Sequence, residues 1–259
     1  MPFVSVAGHR LEYQRFAGKP DVPTLVFLHE GLGSLAMWRD FPAKLAFATG
    51  APAVVYSRYG YGNSDPIAAP RGVRYMHDEA LVALPELRRA LGLDDVILIG
   101  HSDGASIALI HAGSGRWPVH GLVLEAPHVF VEDVSVASIE KARTAYETTG
   151  LCQRLARHHA DVDSAFRGWN DIWLAPEFRA WTIAEYLPGV TCPVLAIQGA
   201  DDEYGTLAQL DAIERGVGGS VERLVLADCK HSPHRDQEQA VLAAMADFVR
   251  RLAAPVSGW

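Results

Sequence analysis

Ser102 stands between two glycines in Gly100-His101-Ser102-Asp103-Gly104, a G-x-S-x-G pattern. A serine hydroxyl is protonated at neutral pH and attacks poorly. It needs a base to take its proton, an acid to orient that base, and donors to receive the resulting oxyanion. The flanking residues give the serine a setting. Val96-Ile97-Leu98-Ile99 is a short apolar run rich in β-branched residues, which predicts a strand buried on both faces. Ala105 to Ala112 is almost wholly apolar, as expected of a helix inside a larger core. Between them the backbone must bend sharply; the glycines leave room, and the hydroxyl is pushed beyond the sheet edge. The plainer alternative is that Ser102 only caps the helix.

The acid should follow a later strand. Pro193-Val194-Leu195-Ala196-Ile197 reads as that strand, and Gly199-Ala200-Asp201-Asp202 as its turn. The spacing G-x-x-D favours Asp202, with Asp201 as the fallback; Glu125, Glu132 and Asp133 are weaker candidates after the preceding strand. The base should lie beyond the last strand, where Asp228-Cys229-Lys230-His231-Ser232-Pro233-His234 offers two histidines. His231 is nearer the strand end and is preferred; His234 reads as a helix N-terminal or pocket-edge residue. His158 and His159 read as surface residues. The order Ser, Asp, His is one in which such constellations occur. For the oxyanion, the backbone N–H of Asp103 is favoured by the helix N-terminus. A second donor is expected from His29-Glu30-Gly31-Leu32-Gly33-Ser34, at Gly31 before Glu30. Phosphate binding by that turn is disfavoured, since the lysine and Ser/Thr of a P-loop are missing.

The elements that must carry these groups alternate. Phe3–Val6 and Leu11–Phe16 predict a hairpin turning at Gly8-His9. Thr24–Leu28, Ala53–Tyr56, Gly121–Ala126 and Val221–Ala227 are further strands. Helices are expected from Trp38 in part, over Tyr75–Leu91 with Pro85 kinking or splitting it, over Thr206–Arg215 and over Gln237–Leu252. Ser57-Arg58-Tyr59-Gly60-Tyr61-Gly62-Asn63-Ser64 is another glycine-punctuated turn. From His128 to about Pro188 strand-like runs give way to short helices with Trp169, Trp173, Phe178 and Trp181. Strands alternating with helices imply a mostly parallel sheet covered on both sides. Functional groups then collect beyond the strands' C-terminal ends, where the glycine-rich turns should converge.

The 259 residues, 49% hydrophobic, suffice for one large α/β domain, and the net charge of −8 argues against nucleic acid or an anionic membrane as partner. Three scattered cysteines, Cys152, Cys192 and Cys229, fit a reducing compartment and no metal pattern. The start of the chain lacks a signal-peptide profile, and no apolar segment is long enough to span a membrane, so a cytoplasmic location is expected. The last six residues, Ala254 to Trp259, read as a loose tail.

Taken together, His29-Glu30-Gly31-Leu32-Gly33, the Ser57–Ser64 turn, the Ser102 motif, Asp202 and His231 resemble the α/β-hydrolase family over essentially the whole chain. The resemblance implies an eight-stranded sheet from residues 1–127 and 189–259, a helical cap over 128–188, and no cofactor or metal. It also implies a serine esterase-like activity on a small ester, thioester or lactone, with Ser102, His231 and Asp202 as triad and Gly31 and Asp103 as oxyanion donors. Glu30, Trp169, Trp173 and Trp181 are candidate pocket residues. Alternatives are C–C bond hydrolysis of a ring-cleavage product by the same triad, and a ligand-sensing receptor that has the pocket without the turnover. Two departures stand out: relatives usually carry HG where this chain has His29-Glu30, and often Met or Gln at the position of Asp103. Both acids should favour neutral or cationic substrates.

Overall fold

The structure, a computed structural model, describes residues 1–253; the terminal segment read above as a tail lies outside them. Eight strands, β1 Phe3–Val6, β2 His9–Phe16, β3 Thr24–Leu28, β4 Ala53–Tyr56, β5 Val96–His101, β6 Gly121–Glu125, β7 Val194–Gly199 and β8 Val221–Leu226, form one sheet in the order β1-β2-β4-β3-β5-β6-β7-β8. β1 and β2 pair antiparallel at one edge, β2 joins β4 antiparallel, and all remaining neighbours are parallel. The hairpin turns one residue earlier than expected: Val6 pairs with His9, and Ala7 and Gly8 take the positive φ values of 51° and 81° that a two-residue hairpin loop requires.

The central strands are apolar throughout because both faces are covered. Alternate residues serve different layers. Val96 and Leu98 of β5 join one core cluster, and Ile97 and Ile99 the other. The second layer is closed by α1 (Phe41–Thr49) and by a long C-terminal helix, through Phe41, Leu45, Met245 and Phe248. Across the sheet lie α2 (Tyr75–Asp78), α3 (Leu84–Leu91) and α4 (Asp103–Gly113). Pro85 splits the predicted Tyr75–Leu91 helix: α2 passes through a π-helical turn at Glu79–Ala83, and the proline falls in the first turn of α3, where its missing N–H costs least.

Between β6 and β7 the chain forms α5 (Asp133–Thr148), α6 (Leu151–Leu155), α7 (Val162–Trp173) and two short 3₁₀ segments. The insert is tied down by side chains. Gln209, on α8 (Ala208–Gly216), accepts from the Val129 N–H at 2.7 Å and donates to Glu132 at 2.7 Å. Ser135 and Ser138 of α5 donate to the carbonyls of Tyr204 and Glu203. His159, expected at the surface, is buried: Nδ1 accepts from the Gly62 N–H at 3.0 Å and Nε2–H donates to the Leu32 carbonyl at 3.1 Å. It thus joins the insert to two core turns. After β8 come α9 (Pro233–Asp236) and α10 (Glu238–Ala253). No helix among the described residues is long and apolar enough to cross a membrane.

Candidate active site

Ser102 sits between β5 and α4 with φ 54° and ψ −116°, a conformation that side chains rarely adopt. The glycines explain how the turn closes. A β-carbon on Gly100 would collide with the Gly104 backbone, and one on Gly104 with the carbonyl of Leu28 on β3. The Ser102 N–H is anchored on the Glu125 carbonyl at 2.8 Å, so β5 and β6 jointly fix the bend.

His231, on the loop between β8 and α9, places Nε2 3.0 Å from Ser102 Oγ and Nδ1 2.8 Å from Asp202 Oδ1. The carboxylate fixes Nδ1 as the protonated nitrogen and leaves the Nε2 lone pair toward the hydroxyl. The Asp202 side chain is 1% exposed and otherwise held by the Tyr204 N–H at 2.8 Å and the Gln198 amide at 3.1 Å. Burial alone would raise its pKa; the hydrogen bond and charge of His231 outweigh burial, and the carboxyl lies below its ordinary range. Asp201 is exposed and not brought to the imidazole.

The remaining candidates part company. Glu125 is fully buried and bonded to His234 Nδ1 at 2.8 Å, and the His234 ring lies 4.6 Å from that of Trp38. His234 is thus a helix N-terminal residue, the second of α9, as one of its two expected readings had it, but its ring is buried in the core and does not edge the pocket. Glu132 serves Thr206 and Gln209, and Asp133 pairs with Arg179.

Gly31 faces the Ser102 turn across a cavity of about 100 Å³. Its walls include Glu30, Gly31, Ser102, His231, Trp169 and Trp173. His128, Ser135, Ile139 and Tyr204 also line it, and sequence reasoning did not single them out. His128 follows a strand end, the one signal that could have raised it. Burial, followed by the charge of His231, pushes its pKa down to about 3, so it is a neutral group. Trp181 is absent from the walls. It stacks on Phe178 with ring centroids 5.3 Å apart and is buried against the insert's aromatic residues, because the docking of the insert turns it toward Phe178 and Trp173 rather than toward the cavity.

The two departures resolve differently. The Asp103 side chain is wholly buried and turned from the cavity: Oδ2 accepts from Tyr75 Oη at 2.7 Å and lies 3.7 Å from Arg58 Nη2. Its charge therefore does not face the substrate space, contrary to expectation, because a buried cation and a phenol draw it inward. Glu30 does border the cavity, although its carboxylate bends toward His101 and Arg235. The Ser57–Ser64 turn does not line the cavity either. Arg58 instead donates to the carbonyls of His29 and Glu30 at 3.3 and 3.0 Å and so holds the Gly31 turn from behind.

Comparison with known proteins agrees with this architecture. A family model described as the alpha/beta hydrolase fold matches residues 23–148. The chain has the α/β-hydrolase fold, and its matches include hydrolytic enzymes of that fold. A proline iminopeptidase from Heyndrickxia coagulans is 28% identical, covering 96% of this chain and 98% of that one. A 2-succinyl-6-hydroxy-2,4-cyclohexadiene-1-carboxylate synthase from Enterobacter sp. (strain 638) is 25% identical over 90% of this chain and 94% of its own. Among solved structures, the enol-lactonase from Burkholderia xenovorans LB400 superposes with a TM-score of 0.76 at 21% identity, covering 96% of this chain and 99% of that one. A thermophilic esterase from Thermogutta terrifontis gives 0.75 at 18%, covering 98% and 100%.

Proposed function

We propose that the protein is a serine hydrolase that cleaves a small, uncharged ester, thioester or lactone through an acyl-enzyme. The observation that carries this reading is the unbroken line Ser102 Oγ, His231, Asp202, with spacings of 3.0 and 2.8 Å. Ser102 Oγ attacks the carbonyl carbon while its proton passes to His231 Nε2. The oxyanion is received by the Gly31 and Asp103 backbone N–H groups; the latter opens α4, where no intrahelical acceptor competes. The imidazolium then returns the proton to the leaving oxygen or sulfur as the C–O or C–S bond breaks. Water, deprotonated by the same nitrogen, attacks the acyl-enzyme, and the carboxylic acid leaves as Ser102 regains its proton. Asp202 stays ionised and stabilises the imidazolium.

Size and charge support the substrate class. The cavity is about 100 Å³, apolar on the Trp169, Trp173 and Ile139 side, and no Lys or Arg lines it among the described residues. A carboxylate-bearing ring-cleavage product would meet Glu30 and find no cation on the walls, which ranks the C–C hydrolase reading lower.

The test is fluorophosphonate labelling of the wild type and Ser102→Ala, followed by p-nitrophenyl esters of rising chain length and an equal-sized pair with and without a carboxylate. Labelling lost in the variant and a preference for the short neutral ester are expected. An unlabelled wild type would refute the assignment, and a protein that binds such esters without a p-nitrophenol burst would be a receptor.

A further inference from the structure

Glu30, the departure from the usual glycine, takes no part in the steps above. Its surroundings give it one. His101 is wholly buried at the end of β5, immediately before Ser102. Its Nε2 lies 2.6 Å from the main-chain carbonyl oxygen of His231, and its Nδ1 3.5 Å from Glu30 Oε2. Glu30 Oε1 is in turn 3.7 Å from Arg235 Nη2 on α9. A carbonyl only accepts, so Nε2 must carry a hydrogen; an Nδ1 lone pair facing a carboxylate would be repelled, so Nδ1 favours a hydrogen too. Both conditions hold in the imidazolium. The His231 backbone is then gripped on both sides, since its N–H donates to Glu203 Oε2 at 3.3 Å.

We propose that Glu30 and His101 are positioning residues: Glu30 holds a buried His101 cation, and that cation clamps the carbonyl of His231 so that its ring stays in line with Ser102. This rests on the reading of His231 as the general base. The groups around His101 favour the charge on balance. Glu30 faces it from the β3 turn and Glu125 from β6. The rings of His231 at 5.3 Å and His234 at 5.2 Å and the neutral His128 also lie near it, while Arg235 acts on Glu30 rather than on His101 directly. Burial disfavours the His101 cation, but the Glu30 carboxylate 3.5 Å away, followed by Glu125, outweighs it and raises its pKa. Burial likewise opposes ionisation of Glu30, yet His101 and then Arg235 hold that carboxyl well below its usual range. Above the pKa of His101 the Nδ1 lone pair faces the carboxylate and the clamp loosens, giving an alkaline decline in kcat.

The experiment compares wild type, His101→Leu, His101→Gln and Glu30→Gln in steady-state kinetics on p-nitrophenyl acetate across pH, with fluorophosphonate labelling of the wild type alongside. His101→Leu should lose roughly 10- to 100-fold in kcat, as for a base misplaced by a fraction of an ångström to an ångström, with little change in KM. His101→Gln places an amide N–H where Nε2–H stood; it should recover most of that loss and show no alkaline decline. Glu30→Gln removes the partner anion and should move the decline to lower pH. A wild type that is not labelled sinks the underlying reading. A labelled wild type whose His101→Leu variant keeps its kcat, or whose His101→Gln and Glu30→Gln profiles superimpose on its own, overturns the clamp. Should His101→Leu fail to fold, those last two profiles decide.

Discussion

The indole nitrogen of Trp169 lies over Gly31, so close that a β-carbon at position 31 would fall well inside its van der Waals contact. The insert helix α7 and the turn after β3 thus meet edge to backbone at the wall of the cavity. Only glycine permits it. Gly31→Ala should displace either the indole or the turn whose N–H is assigned to the oxyanion. At least a tenfold loss in kcat/KM is expected, the scale of a misaligned oxyanion donor. Gly31→Ala combined with Trp169→Leu should recover part of it, because the obstacle has gone. Ester hydrolysis by the single and double variants checks this; equal losses in both would exclude the indole as the cause.

Asp202 fixes which nitrogen of His231 carries the proton. An amide in its place can donate to Nδ1 and turn the lone pair the wrong way. Asp202→Asn should therefore keep its fold and lose about 10³- to 10⁴-fold in kcat, by analogy with such substitutions in other Ser-His-Asp sites. Asp201→Asn, at an exposed neighbour, should alter kcat by less than about twofold. Steady-state kinetics on both, with circular dichroism for the fold, make the comparison.

Tyr75 joins the core to the floor of the site. Its hydroxyl donates to Asp103 Oδ2 at 2.7 Å and accepts from Trp173 Nε1 at 3.0 Å, all buried. Tyr75→Phe leaves a carboxylate oxygen and an indole N–H without this partner. The expected cost is about 2–4 kcal/mol, one to two unsatisfied buried groups. Urea denaturation reads it directly; a loss below about 0.5 kcal/mol would mean that the neighbouring groups rearrange.

His111 sits inside α4 with both nitrogens committed: Nδ1–H donates to the Ala80 carbonyl at 2.8 Å, and Nε2 accepts from Arg88 at 2.9 Å. Burial, aided by the Arg88 charge, pushes its pKa down from 6.5 to about 4. Between those values the unfolded chain binds a proton that the native state refuses. Stability should therefore fall as pH drops below about 6.5, by up to ~1.4 kcal/mol per pH unit from this residue. His128, at about 3, adds a second contribution of the same sign. Denaturation midpoints at neutral and mildly acid pH should show a shallower dependence for His111→Gln than for the wild type.

Much of the architecture was legible in the chain because each central strand is a short run of branched apolar residues, and only a sheet covered on both faces buries such runs. Trp169 and Trp173 were named as pocket residues and do line the cavity; Trp181, of the same type and nearby, does not. Nothing in composition separates the three, since which face of a helical insert looks inward depends on how it docks. His159 was misread for the same reason: its two partners, Gly62 and Leu32, lie far away along the chain.

By itself the sequence determined the local geometry at Ser102, where small residues flank a forced bend, and the alternation that sends successive turns to one sheet edge. Tertiary structure alone decided which of two adjacent aspartates meets His231, that the Asp103 carboxylate turns inward to Tyr75 and Arg58, and that Glu30 pairs with His101. The physical reason is that a charge takes its orientation from what surrounds it after burial. Those surroundings come from segments remote in sequence.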